Sequence, residues 1–183
     1  MNFTKIAARV TCFSAALIFL SGCVGAVSET ANIAKDKIII SNNIKKAQAG
    51  DPEAQFKVGN SLCCSVVDSN KGFYDTQKSL EWLCRSAESQ YGPAAFKIAK
   101  IYSGDTVSGV RVIRRIASRI TGKRSIPSVS YSWFLFAENY GEKDARKHAD
   151  SMWASLDEKE REEAREYVTG QKKLPCLWAD VNS

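Results

Sequence analysis

The chain holds a single histidine among 183 residues, and that shortage removes most general-base chemistry at the outset. His148 sits in the charged string K-D-A-R-K-H-A-D, where a solvent-exposed side chain is expected rather than a base. Nucleophile motifs such as G-x-S-x-G, or S-x-x-K at a turn, are missing, as are glycine-rich loops that cradle phosphate. No C-x-x-C pair occurs, which argues against a zinc site and more strongly against a redox dithiol. Acids do not converge either: Glu162 and Glu163 are neighbours on one helical string, and Glu81 precedes a repeat tryptophan on the outer face. These absences point to a protein that is not an enzyme and carries no cofactor or metal.

Long apolar runs are scarce too. The only one is Val10–Leu20, preceded by Lys5 and Arg9 and too short for a permanent membrane span. It ends in Leu20-Ser21-Gly22-Cys23, small residues before a cysteine. That order is similar to the bacterial lipoprotein box, which implies residues 1–22 as signal peptide and Cys23 as the lipidated first residue. Val24 rather than aspartate follows, which in that pattern implies an outer-membrane lipoprotein facing the periplasm. Two or more acyl chains anchor stably where one does not. Loss of residues 1–22 leaves 24 basic against 20 acidic residues, a net charge of +4. That is too mild for nucleic acid.

What the chain does have is a stripe that recurs. Gly50, Ala54, Val58 and Leu62 form one set spaced by four; Gln90, Ala94, Ile98 and Tyr102 form the next; Gly141, Ala145, Ala149 and Trp153 form a third. Spacing by four keeps side chains on one helical face, so each set predicts a helix with a narrow, close-packing stripe after a turn. The turns at 50, 90 and 141 signal a helical repeat. Before the later turns, Trp82, Ser86 and Gln90, and then Trp133, Ala137 and Gly141, keep the same spacing. The phrases K-S-L-E-W-L-C-R-S-A and V-S-Y-S-W-F-L-F-A match in order as well.

This pattern resembles the Sel1-like repeat family, tetratricopeptide-like units of roughly A-x-x-G-x-x-x-A-x-x-x-L-G-x-x-Y, a variable link, then K-A-x-x-W-Y-x-x-A-A-x-x-G. Ala47, Gly50, Ala54, Val58, Gly59, Lys78, Ser79, Trp82, Ser86, Ala87, Ala94, Ile98 and Tyr102 sit on it. Gln90 and Ala99 depart from it, standing where the family favours glycine. The resemblance spans roughly Ala47 to Trp153. It implies an all-α, right-handed helix-pair solenoid of about two and a half repeats. It also implies a scaffold or adaptor that holds an unknown protein or peptide partner. Cysteine-rich relatives suggest an alternative, a hydrolase or a β-lactam or cell-wall binding protein. A purely structural envelope lipoprotein is the third reading. An apolar concave face favours the first, a polar one without exposed aromatics the third.

The expected organisation is a signal peptide over 1–22, a tether over 23–35, a repeat domain over 36–169 and a tail over 170–183. The helix opening the domain places Ile40, Ile44 and Gln48 on one face. Ser155-Leu156-Asp157-Glu158 offers a capping box for a last helix anchored by Leu156, Ala164, Tyr167 and Val168, with Gly170 as its C-cap. A basic insert over 103–130 carries Arg111, Arg114, Arg115, Arg119, Lys123 and Arg124 and suits an anionic partner or lipid headgroups. Once Cys12 and Cys23 are set aside, Cys63, Cys64, Cys84 and Cys176 remain for disulfides. A vicinal Cys63–Cys64 bridge is disfavoured by backbone strain. One of that pair is therefore expected to join Cys84 and the other to hold the tail at Cys176.

Overall fold

The computed structural model describes residues 30–64, 72–105 and 125–182. The signal peptide, Cys23 and the six basic residues from Arg111 to Arg124 lie outside them. The chain divides into two units, Met1–Asp36 and Lys37–Ser183. In the first, residues 30–36 are helical. In the second, every regular element among the described residues is a helix: α1 over residues 37–48, α2 Pro52–Leu62, α3 Thr76–Glu88, α4 Gly92–Tyr102, α5 Pro127–Asn139, α6 Ala145–Ser155, α7 Glu158–Thr169, and a closing 3-10 helix Trp178–Asn182.

Three turns make the chain reverse, and they are built alike. The N–H groups of Asp51, Tyr91 and Glu142 donate to Lys46, Ser86 and Ala137, five residues back. Those of Gly50, Gln90 and Gly141 donate three residues back. That pair of bonds is the Schellman closure, which needs a left-handed residue. Gly50, Gln90 and Gly141 supply it with φ of 95°, 58° and 89°. Glycine adopts this conformation freely, whereas a residue with a Cβ loses roughly 1–2 kcal/mol there. Gln90→Gly is accordingly expected to stabilise the protein by about 1 kcal/mol and raise Tm by roughly 3 °C in thermal melts. An unchanged or lowered Tm would remove this account of position 90.

Side-chain caps start the helices. The Asp51 and Asp75 carboxylates accept from the N–H groups of Ala54 at 2.6 Å and Lys78 at 3.0 Å. Proline occupies the first turn of α2, α4 and α5, where no N–H is needed. The capping box before α7 lies two residues later than the sequence suggested. Asp157 and Glu160 form it, not Ser155 and Glu158, because α6 continues through Ser155 and Leu156 turns inward to 4% exposure.

The pairs α2–α3, α4–α5 and α5–α6 pack side by side, with α3 also on α4 and α7 on α5. Small residues set the approach. The Ser79 hydroxyl donates to the Gly59 carbonyl at 2.7 Å, and the Ser86 hydroxyl to Pro52 at 2.6 Å, so α2 and α3 run antiparallel. Forty and fifty-one residues on, the Ser130 hydroxyl donates to the Ala99 carbonyl at 3.0 Å. The links close alike as well: Asp75 N–H donates to Leu62 O, and Ile126 N–H to Tyr102 O, each at 2.9 Å. The expected insert therefore ends at Ile126, since α5 begins at Pro127.

Of the expected repeat positions, Ala54, Val58, Ala87, Ala94, Ile98, Tyr102, Trp133, Ala137 and Ala145 are buried; Leu62, Trp82 and Trp153 are partly so. The main core draws on α3 to α7. A smaller cluster of Ala47, Ala54 and Val58 holds α1 through Ile40 and Ile44. Gln48, expected on that face, is exposed, and Ala47 takes its place. Val168 is likewise 42% exposed, because Tyr167 takes the inward position beside Ala164.

Candidate functional site

Helices α2, α4 and α6 each follow a left-handed turn, so the sixth and seventh residues after it fall at matching places. These are Phe56 and Lys57, Phe96 and Lys97, and Lys147 and His148. The aromatic members stay partly buried and link the helices. The Phe56 ring meets Tyr91 at 5.6 Å, at the start of α4. The Phe96 ring meets His148 on α6 at 5.2 Å and Phe134 beneath it at 5.4 Å. His148 stacks on Phe134 at 5.2 Å with planes 15° apart. The ammonium of Lys100 lies 5.3 Å over the Phe96 ring.

The electrostatics follow from this packing. Burial, helped by the positive charge of Lys100, lowers the His148 pKa, so the imidazole is neutral near pH 7. Burial raises the Tyr91 phenol, with Glu53 adding to it. The face therefore offers neutral rings bordered by lysines, among them Lys57 paired with Glu53 at 2.7 Å. His148, expected to be exposed on a charged helix, is partly buried instead. The turn spacing puts His148 level with Lys57 and Lys97, so only its packing against Phe96 and Phe134 reveals the shelter.

The cysteines pair differently from expectation: Cys63 with Cys64, and Cys84 with Cys176. The antiparallel run of α2 against α3 is the reason. With Pro52 opposite Ser86 and Gly59 opposite Ser79, Cys63 falls level with the start of α3. Cys84 is eight residues further along, about 12 Å at helical rise. It reaches the tail instead, with Cα atoms 6.0 Å apart. Cys176 and Trp178 do pin the tail back, as the sequence suggested. The Trp133 indole N–H donates to Pro175 O at 2.8 Å and the Tyr102 hydroxyl to Cys176 O at 3.0 Å. The Tyr102 and Trp178 rings lie 4.7 Å apart.

One further polar cluster looks chemical at first sight. The Glu163 carboxylate accepts from the Ser128 hydroxyl at 2.7 Å, from Tyr167 at 3.0 Å and from Lys172 at 2.6 Å. Burial alone would raise the pKa of Glu163, but these three donors outweigh it and hold the pKa below the usual range. Ser128 is 1% exposed, so its hydroxyl ties α5 to α7 and meets no substrate. Glu81 is exposed. Among the described residues no three His, Cys, Asp or Glu side chains converge to hold a metal ion, and no helix is long and apolar enough to cross a membrane.

No family model matches the chain, and neither a curated protein nor a solved structure matches it.

Proposed function

We propose that this chain is a non-enzymatic interaction scaffold of the Sel1-like repeat type, a right-handed solenoid of about two and a half helix pairs. It is anchored through lipid on Cys23 to the periplasmic side of a bacterial outer membrane. The face of α2, α4 and α6 holds a protein or peptide partner. One observation carries this reading: the alternate helices α2, α4 and α6 present the ring pairs Phe56–Tyr91 and Phe96–His148 partly uncovered, where a purely structural protein gains nothing from leaving them wet. The recurring turn and serine–carbonyl bonds support the repeat assignment. The small residues Ser21 and Gly22 before Cys23 support the anchor.

A photo-crosslinking residue at position 56 or 96, in cells, tests it. A discrete adduct is expected from these positions in the membrane fraction and not from exposed position 159 on α7. Cys23→Ser is expected to release the protein from that fraction. Equal adducts from all three positions would defeat the scaffold reading, and unchanged membrane partition the anchor.

A further inference from the structure

The tail occupies a groove that reads it as a peptide. Tyr102 and Trp133 are buried repeat residues, yet each turns its polar end to the tail and takes one of two consecutive backbone carbonyls. Carbonyls present the same acceptor whatever the side chain, so these two donors recognise an extended backbone. Pro175 is buried, and Trp178 covers Tyr102. The Asp180 carboxylate, accepting from Cys176 N–H at 3.2 Å and Leu177 N–H at 2.9 Å, holds the turn that aims Trp178. Cys84 supplies a covalent clasp.

The pair of donors is particular to this place. Forty residues earlier the position of Tyr102 is Leu62, which has no hydroxyl to offer, and the preceding repeat tryptophan, Trp82, carries Arg85 over its ring at 4.9 Å. The connection to the tail is short and wet: residues 170–173 are exposed, and Gly170 turns left-handed with φ 77°. Short hinges of this kind let an end segment leave its own body and seat in an identical one.

We propose that the groove of Cys84, Tyr102 and Trp133 is a peptide-binding site whose exchange partner is the 174–182 tail of a second copy of this chain, clasped by a Cys84–Cys176 bond between copies. The exchange consumes no oxidant. A thiolate from a small-molecule or protein thiol attacks Sγ of Cys84, and Cys176 leaves as thiolate. Cys176 of the second copy, freed the same way, then attacks the mixed disulfide at Cys84 and returns the first thiolate. Each S–S bond broken is replaced by one formed. The groove is made of other residues than the aromatic face and does not rest on the scaffold reading.

Two full-length variants test this directly. Cys84→Ser keeps a tail cysteine without a clasp, and Cys176→Ser keeps a clasp without a tail cysteine. Mixed in a buffer of reduced and oxidised glutathione, after circular dichroism shows both folded, they are expected to give a heterodimer joined at Cys84 and Cys176. The disulfide of the oxidised glutathione is reduced as the two free thiols join. Trp178→Ala in the Cys84→Ser chain alters only the donated tail and is expected to cut that yield about tenfold. No heterodimer, or an undiminished one, overturns the proposal. If the variants fail to fold, the wild-type chain is treated with synthetic peptide 174–182 and a scrambled peptide that keeps the cysteine. Mixed disulfide at Cys84 with the native peptide alone supports recognition by the groove, and equal labelling by both overturns it.

Discussion

Cys84→Ser together with Cys176→Ser is expected to lower the unfolding free energy by about 4 kcal/mol. The bond joins residues 92 apart in sequence. Cross-linking so long a loop removes many conformations from the unfolded chain, and loops of about this length are worth roughly 4–5 kcal/mol in the chain-entropy account. The folded side loses as well: once the tail is free to leave, the carbonyls of Pro175 and Cys176 and the ring of Trp178 no longer cover Trp133 and Tyr102. Urea titration followed by circular dichroism gives the size. Cys63→Ser with Cys64→Ser serves as the comparison, because a bond between neighbours closes no loop and carries none of this entropy. Equal losses from the two pairs would show that the long bridge does not act by constraining the unfolded chain.

Gly59→Val is expected to cost about 3 kcal/mol, at the upper end for overpacking a core. A Cβ built on Gly59 lies 2.8 Å from Cγ of Leu83 and 3.0 Å from the carbonyl of Ser79. The carbonyl belongs to the α3 backbone and cannot step aside without moving the helix. Moving it also stretches the Ser79 bond to the Gly59 carbonyl, which fixes the two helices. A double-mutant cycle with Leu83→Ala separates the causes. If crowding against Leu83 dominates, the double variant loses less than the two single losses together. If the backbone carbonyl dominates, the losses add. A melting curve for Gly59→Val that overlays the wild type would remove close packing as the reason for this glycine.

The helices were legible because spacing by four is a local property of the sequence. Ala54, Val58, Ala94, Ile98, Ala145 and Ala149 are all buried, as their register required. The turn at Gln90 was legible by position although its residue is the wrong one for a left-handed bend. What could not be read were choices that depend on how two helices align. The disulfide pairing turns on the antiparallel offset of α2 against α3, and no cysteine spacing encodes that offset. The last capping box, expected at Ser155 and Glu158, forms two residues later at Asp157 and Glu160. Burial of Leu156 decided for Asp157, and burial belongs to tertiary packing. His148 looked exposed because its own helix is charged, while the rings that shelter it come from α4 and α5. The aromatic face was foreseen only as an alternative between apolar and polar. Which rings would form it depended on contacts between helices, Phe56 with Tyr91 and Phe96 with His148.

The bonds from Asp75 to Leu62 and from Ile126 to Tyr102 pinch off each link at its own neck, although the stretches 63–74 and 103–125 differ greatly in length. Helix pairing at each neck is thereby independent of the link's length, although Cys63 and Tyr74 at the ends of the first link are buried. Lengthening a flexible connection is cheap, about 0.6 kcal/mol for each doubling. A lineage carrying this fold can thus trade, grow or shorten the sequence beyond the neck without renegotiating the core. The neck behaves as a port for diversification, and variation among descendants would gather there while the stripes beneath stay still.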